Sequence, residues 1–195
     1  MHSALRANLF FVKEHVGMFR AANNYDVFDP NTNQKIIECR EPNLGIITKI
    51  FRFTDYKRMT PFDVQMTTPE GQQVLSVKRG FSFIRSTVEV FDENQQKVGT
   101  FKQKFFSIGG KFDVLDAQEK VICTLQGKWT SWDFRFMQGE IELANVSKKW
   151  AGLGKELFTT ADNYMLTISD STPVNDNARI LIMAAVMCID MVLKE

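Results

Sequence analysis

From Ile180 to Ile189 every residue is apolar, and past Asp190 the sequence resumes with Met191, Val192 and Leu193. No other stretch restricts the fold so strongly. Asn175, Asp176 and Asn177 stand just ahead of it, and Asn or Asp side chains there satisfy the first free amides of a helix. The pattern predicts a helix over about 176–193. That helix is apolar around its whole circumference, so protein or lipid has to enclose it.

Length separates the two enclosures. A membrane span needs about 20 consecutive apolar residues to cross a hydrocarbon layer about 30 Å thick. Ile180–Leu193 rises only about 21 Å at about 1.5 Å per residue. A carboxylate at the bilayer centre costs roughly 2.5–3.5 kcal/mol, and less near a helix end, where Asp190 sits. The stretch is therefore read as a helix buried inside its own domain. At about 1.5–3 kcal/mol for each large side chain, its burial contributes a major share of the core energy.

What encloses it is written upstream. One unit recurs at unequal spacing: YDVFDPNTNQKII from Tyr25, FDVQMTTPEGQQVL from Phe62, VEVFDENQQKVG from Val88 and FDVLDAQEKVI from Phe112. Each is an alternating strand, a polar turn and a second alternating strand. Alternation puts every second side chain on one face, so one face is buried and the other wet. The turn residues suit tight reversals. Further strands are predicted at Leu9–Lys13, Lys35–Arg40, Gly99–Phe106, Trp132–Met137, Glu140–Val146 and Tyr164–Ile168. Closing so many short antiparallel strands removes their edges. The fold class is mainly β: a closed antiparallel barrel around a hydrophobic C-terminal helix, as one domain over residues 1–195. The 17 Phe among only three Trp and three Tyr fit half-buried strands.

The C-terminal third carries a specific pattern. VSKKWAGLGKELFTTADNYMLTI from Val146, followed by ARILIMAAVMCIDMVLKE, resembles the phospholipid scramblase family. Trp150, Gly152, Glu156, Phe158, Thr159, Ala161, Asp162, Asn163, Ile189 and Asp190 match in order. PFDVQMTTPEGQQVLSVKR and FDVLDAQEKVICTLQG resemble its hairpins, and the likeness weakens before Asn24. The resemblance implies a tubby-like barrel of about twelve strands around the helix. It also implies membrane association, calcium-responsive movement of phospholipid between leaflets, and a cytoplasmic place, peripheral on the inner membrane surface. Such folds also serve as binding modules, so the fold alone does not assign activity.

Three departures qualify what is carried over. The family's calcium loop opens on an Asp where this chain has Thr160, and its closing acid falls at Ser171, beside Asp170. Asp162 and Asp170 remain as a weak calcium pair, against the about six to eight oxygens calcium takes, so calcium is the one candidate cofactor and a poorly supplied one. The cysteine clusters that carry acyl chains in animal members would fall at 51–58 and 79–85, and none is present. The residues ahead of Leu9 are not proline-rich, so recruitment of partners through a proline-rich tail is not expected.

Those same segments hold basic and aromatic residues: Arg52, Lys57 and Arg58 in one, and Lys78, Arg79, Phe81, Phe83 and Arg85 in the other. Two placements are open. In one they form a lipid-facing rim, with cations on anionic headgroups and Phe rings in the interface. In the other Phe81 and Phe83 point inward and the cations lie on an ordinary wet face. Trp150 and Asp190 are read as structural, with Asp190 anchoring the helix end and Lys194 four residues on as its partner.

Catalytic readings find little. The two histidines, His2 and His15, lack metal-ligand spacing, and no nucleophile elbow or phosphate loop occurs. The net charge of +1 gives no global attraction for nucleic acid, which is not expected as a partner. Cys39, Cys123 and Cys188 are isolated, which fits a reducing compartment. The expected partners are membrane phospholipids, with protein partners as a second class. The competing functions are a scramblase-family protein acting on phospholipid, a soluble module binding an anionic headgroup or a protein, and a barrel without activity of its own.

Overall fold

A computed structural model describes residues 1–15, 24–43, 45–51, 53–54, 59–82, 86–104, 111–128, 132–148, 163–173 and 176–193, apart from the side chains of Ile47, Asp190 and Leu193. Twelve strands are present: β1 (Leu9–Glu14), β2 (Tyr25–Phe28), β3 (Lys35–Arg40), β4 (Phe62–Thr67), β5 (Gln73–Arg79), β6 (Thr87–Asp92), β7 (Lys97–Gln103), β8 (Lys111–Asp116), β9 (Val121–Lys128), β10 (Asp133–Gln138), β11 (Ile141–Ser147) and β12 (Asn163–Ile168). Among the described residues two α-helices, α1 (Ile46–Phe51) and α2 (Ala178–Leu193), and a 3-10 helix at Ser3–Leu5 accompany them. Every strand pairs antiparallel with its neighbours in sequence, and β1 pairs with β12 to close the barrel.

Closure turns the alternating pattern into an inside and an outside. In β4, Phe62, Val64 and Met66 are buried while Asp63, Gln65 and Thr67 are not. The inward side chains meet α2, which is buried from Ala178 to Ile189 and again at Met191. Its 16 residues rise about 24 Å, enough to run through the barrel. Asp176 Oδ1 accepts the Ala178 amide at 2.8 Å and so starts the helix, two residues inside the boundary predicted from sequence. Gly99 on β7 marks a close approach: a Cβ there would lie 2.1 Å from the Leu115 carbonyl oxygen and 3.1 Å from Leu181 of α2. α1 has no counterpart in the sequence reading. Its six residues are too few to show a helical period.

In such a meander successive connections fall at alternate ends of the barrel. One end collects the tight turns after β2, β4, β6, β8 and β10. There the recurring Asp explains the repeated unit. Asp92 Oδ1 accepts the amides of Asn94 and Gln96 at 2.9 and 2.8 Å, and Asp116 Oδ1 accepts those of Gln118 and Lys120 at 2.9 and 2.9 Å. Gln95 and Glu119 take positive φ in these loops, 61° and 62°, and a register shift follows in each hairpin. This is the three-residue loop with a bulge, and it adds local twist. The other end carries the connections after β1, β3, β5, β7, β9 and β11, among them the longest in the chain.

At the tight-turn end the mouth is sealed by a cation. Arg179, the second residue of α2, is only 1% exposed. Its Nη1 donates to the carbonyls of Leu5, Arg6 and Ala7 at 3.1, 3.4 and 2.8 Å, and its Nε to Pro173 at 3.3 Å. Nη2 donates to Asn8 Oδ1, and Asn8 in turn donates to Asp170 at 2.6 Å. Burial pulls the guanidinium below its ordinary pKa, while the Asp170 charge pulls it back. One side chain thus ties the head of the helix to the segment before β1 and to the β12–α2 connection.

Two outcomes test this packing. Arg179→Met removes the donors from buried carbonyls and is expected to lower stability by about 2–3 kcal/mol in urea denaturation, with m unchanged; an unmoved midpoint would contradict the seal. Cys39, Cys123 and Cys188 are free and buried, and burial pushes the Cys123 thiol up to about 12 and the other two higher still. Native protein should therefore show no fast thiol with a colorimetric reagent, and all three in denaturant. A rapidly labelled native thiol would show that the barrel does not enclose them.

Candidate lipid interface

Exposed apolar side chains gather on two connections of the long-connection end. Ile46, Ile50 and Phe53, after β3, are 76, 61 and 63% exposed, and Phe81, after β5, is 61% exposed. Ile46 and Ile50 lie one helical turn apart on α1 and so share a side of it. Phe51 is also exposed, and Lys49 of the same helix reaches solvent. Leaving Ile and Phe wet forgoes about 1.5–3 kcal/mol each, so their concentration at one end makes that end the candidate contact surface. The other exposed large apolar side chains among the described residues, Val121 and Ile141, begin β9 and β11 at the opposite end.

The two connections are fastened together from beneath. Arg79 ends β5 on its inward face and is 5% exposed. Its Nη2 donates to the Thr60 carbonyl at 2.6 Å, Nη1 to Ser86 Oγ at 3.4 Å, and the guanidinium lies 4.7 Å over the Phe62 ring. The Ser82 amide adds a backbone bond to the Met59 carbonyl at 3.2 Å. Arg79 also acts electrostatically on Cys188 of α2.

This arrangement reverses part of the sequence reading. Arg79 was expected outside in both placements considered, and it is inside, because position 79 falls on the same face of β5 as Leu75 and Val77. Phe81 is exposed, as in the rim placement and unlike the inward one. Lys78 is half-buried on the outer face, with its Nζ 3.5 Å from Asp63 Oδ2 and 5.4 Å over the Phe91 ring. Arg52, Lys57, Arg58, Phe83 and Arg85 lie outside the described residues, as do Asp162, Trp150 and Lys194, and so does the side chain of Asp190. The apolar residues of α1 were missed. KIFRFTDYK was read for its charges, whereas its exposed apolar members are what set it apart.

A cavity of about 300 Å³ opens beside these connections, between the chain leading into α1 and the ends of β4 and β5. Glu41, Asn43, Thr48, Asp63 and Lys78 contribute to its lining. Glu41 is buried and accepts the Asp63 amide at 3.4 Å.

Of the expected calcium pair only Asp170 is among the described residues. Asp170 is at the tight-turn end, bound to Asn8, and no group of three or more His, Cys, Asp or Glu that could hold a metal occurs among the described residues. No described helix is long and apolar enough to cross a membrane.

Comparison with known proteins adds the family. The chain is 27% identical over 184 residues to Altered inheritance rate of mitochondria protein 25 of Saccharomyces cerevisiae, covering 82% of this chain and 55% of that protein. It is 28% identical over 124 residues to a phospholipid scramblase family protein of Schizosaccharomyces pombe, covering 58% of this chain and 32% of that protein. It thus spans about half the length of the first relative and about a third of the second. The crystal structure of an Arabidopsis thaliana protein shares the tubby-like fold, with TM-score 0.52 and 13% identity over 93% of both chains. The Scramblase family model matches residues 12–195, from within β1 through α2, and on that match the chain belongs to the phospholipid scramblase family.

Proposed function

We propose that this protein binds membrane phospholipid end-on, as a peripheral protein, through the connections after β3 and β5. The observation that carries this reading is the clustering of Ile46, Ile50, Phe53 and Phe81, exposed together at the end opposite the tight turns. Each apolar side chain entering the interface is worth about 1.5–3 kcal/mol, and each cation near an anionic surface about 1 kcal/mol. Lys49 stands among them, and the same connections carry Arg52, Lys57, Arg58 and Arg85 in sequence. Such a sum gives reversible attachment, not insertion. Binding at the cytoplasmic face of a membrane agrees with three free cysteines.

Movement of lipid between leaflets, the activity the family name suggests, would have to use the outside of the barrel. Its interior is filled by α2 from Ile180 to Met191. That filling favours a second reading, a tubby-like module that holds an anionic headgroup or a protein without transporting lipid.

Flotation with vesicles tests the first reading. Protein should float with vesicles containing anionic lipid, and Ile50→Glu/Phe53→Glu/Phe81→Glu should reduce the bound fraction at least about 100-fold in partition coefficient, without loss of thermal stability. Equal flotation of wild type and variant, or none by either, would contradict it. Leaflet exchange of a fluorescent lipid in reconstituted vesicles separates transport from binding.

A further inference from the structure

The cavity beside α1 has a chemistry of its own. Among the described residues its lining includes two carboxylates, Glu41 and Asp63, and two cations, Lys78 and Arg79, a balanced set. A strongly anionic headgroup would meet both carboxylates at close range, whereas a ligand carrying one charge of each sign finds a complement for each. The Lys78–Asp63 contact is 3.5 Å long and partly exposed, so little is lost when a ligand exchanges into it. Arg79 is already committed to Thr60, Ser86 and the Phe62 ring, so among the described lining residues Lys78 is the cation for a phosphate. At about 300 Å³ the space is at the low end for small-molecule sites, room for a headgroup and not for an acyl chain.

The positive end of the ligand is also specified. A primary ammonium has N–H groups for carboxylate oxygens, whereas a trimethylammonium has none and seeks aromatic faces. Phe62 is the one aromatic residue among the described lining residues, and the Arg79 guanidinium already covers its ring. Ile50, Phe53 and Phe81, on the neighbouring connections, supply an apolar surface where acyl chains could lie.

We propose that this cavity holds the phosphoethanolamine headgroup of a phospholipid, with Lys78 Nζ on the phosphate and the Glu41 and Asp63 carboxylates accepting from the ammonium. The inference rests on the end-on membrane reading above for its lipid source, but the headgroup chemistry can be measured apart from any bilayer. Calorimetry on the full chain with soluble glycerophosphoethanolamine should show binding, and glycerophosphocholine should bind at least about tenfold more weakly, because acceptors built for N–H groups reject a ligand lacking them. Glu41→Gln should weaken glycerophosphoethanolamine about fivefold or more. Should Glu41→Gln melt early, Thr48→Trp, which fills the cavity from α1, carries the same test and should abolish binding. Flotation on phosphatidylcholine vesicles with and without phosphatidylethanolamine forms the second arm, where the ethanolamine lipid should raise the wild-type bound fraction and not that of Thr48→Trp. Vesicle docking without any binding of the soluble headgroup would overturn the site and leave the membrane reading standing. Headgroup binding without vesicle docking would uphold the site and overturn the lipid source, pointing to a soluble phosphoethanolamine compound. Equal affinity for the two soluble headgroups would overturn the selectivity.

Discussion

The enclosure of α2 organises the rest of the molecule. A helix with no polar face has no stable place in water, and this one is too short for a bilayer. Twelve strands supply the surface that takes it in, and they close on themselves, so no sheet edge is left unpaired. Close packing then imposes local demands. Gly99 is held without a side chain because Leu115 and Leu181 occupy the space around it. Arg179 meets a different demand, since the free carbonyls of the segment before β1 lie at the mouth where the helix enters, and a guanidinium with several donors can serve them together.

The two ends of the barrel divide the work. Short turns, Asp-centred hydrogen bonds and the Arg179 seal make one end a closed structural cap. The opposite end presents long connections and apolar side chains to solvent, at the cost of stability there. Arg79 links the two roles. It braces Thr60 and Ser86 from beneath the surface proposed to meet lipid, and its charge is felt at Cys188 of the buried helix. This buried cation positions the interface without belonging to its exposed face.

Much of this was legible in the residues, for physical reasons. Alternation at period two and the Asp-bearing turns specify hairpins, and the unbroken run from Ile180 to Ile189 specifies an enclosed helix, because each pattern follows from which faces must be dry. Arg179 gave a weaker sign: a lone cation beside an apolar run reads equally well as a solvated helix terminus, and only the chain path shows the carbonyls around it. Arg79 obeys the alternation of β5 and faces inward with Leu75 and Val77, but its charge reads as that of a wet-face residue, so the sequence reading puts it outside. Lys78 and Phe81 sit two and three positions from Ser76 and Lys78 respectively, yet the strand ends at Arg79, so parity no longer fixes the direction of Phe81. The exposed face of α1 was not legible, since six residues cannot display a helical period.

Amide hydrogen exchange on detergent-free protein tests the central claim most directly. If α2 is enclosed by the barrel, amides from Leu181 to Ile189 should exchange only through global opening and rank with the slowest strand amides. Rapid exchange in those amides, or protection that develops only when detergent or lipid is added, would contradict the enclosure and with it the division between the two ends.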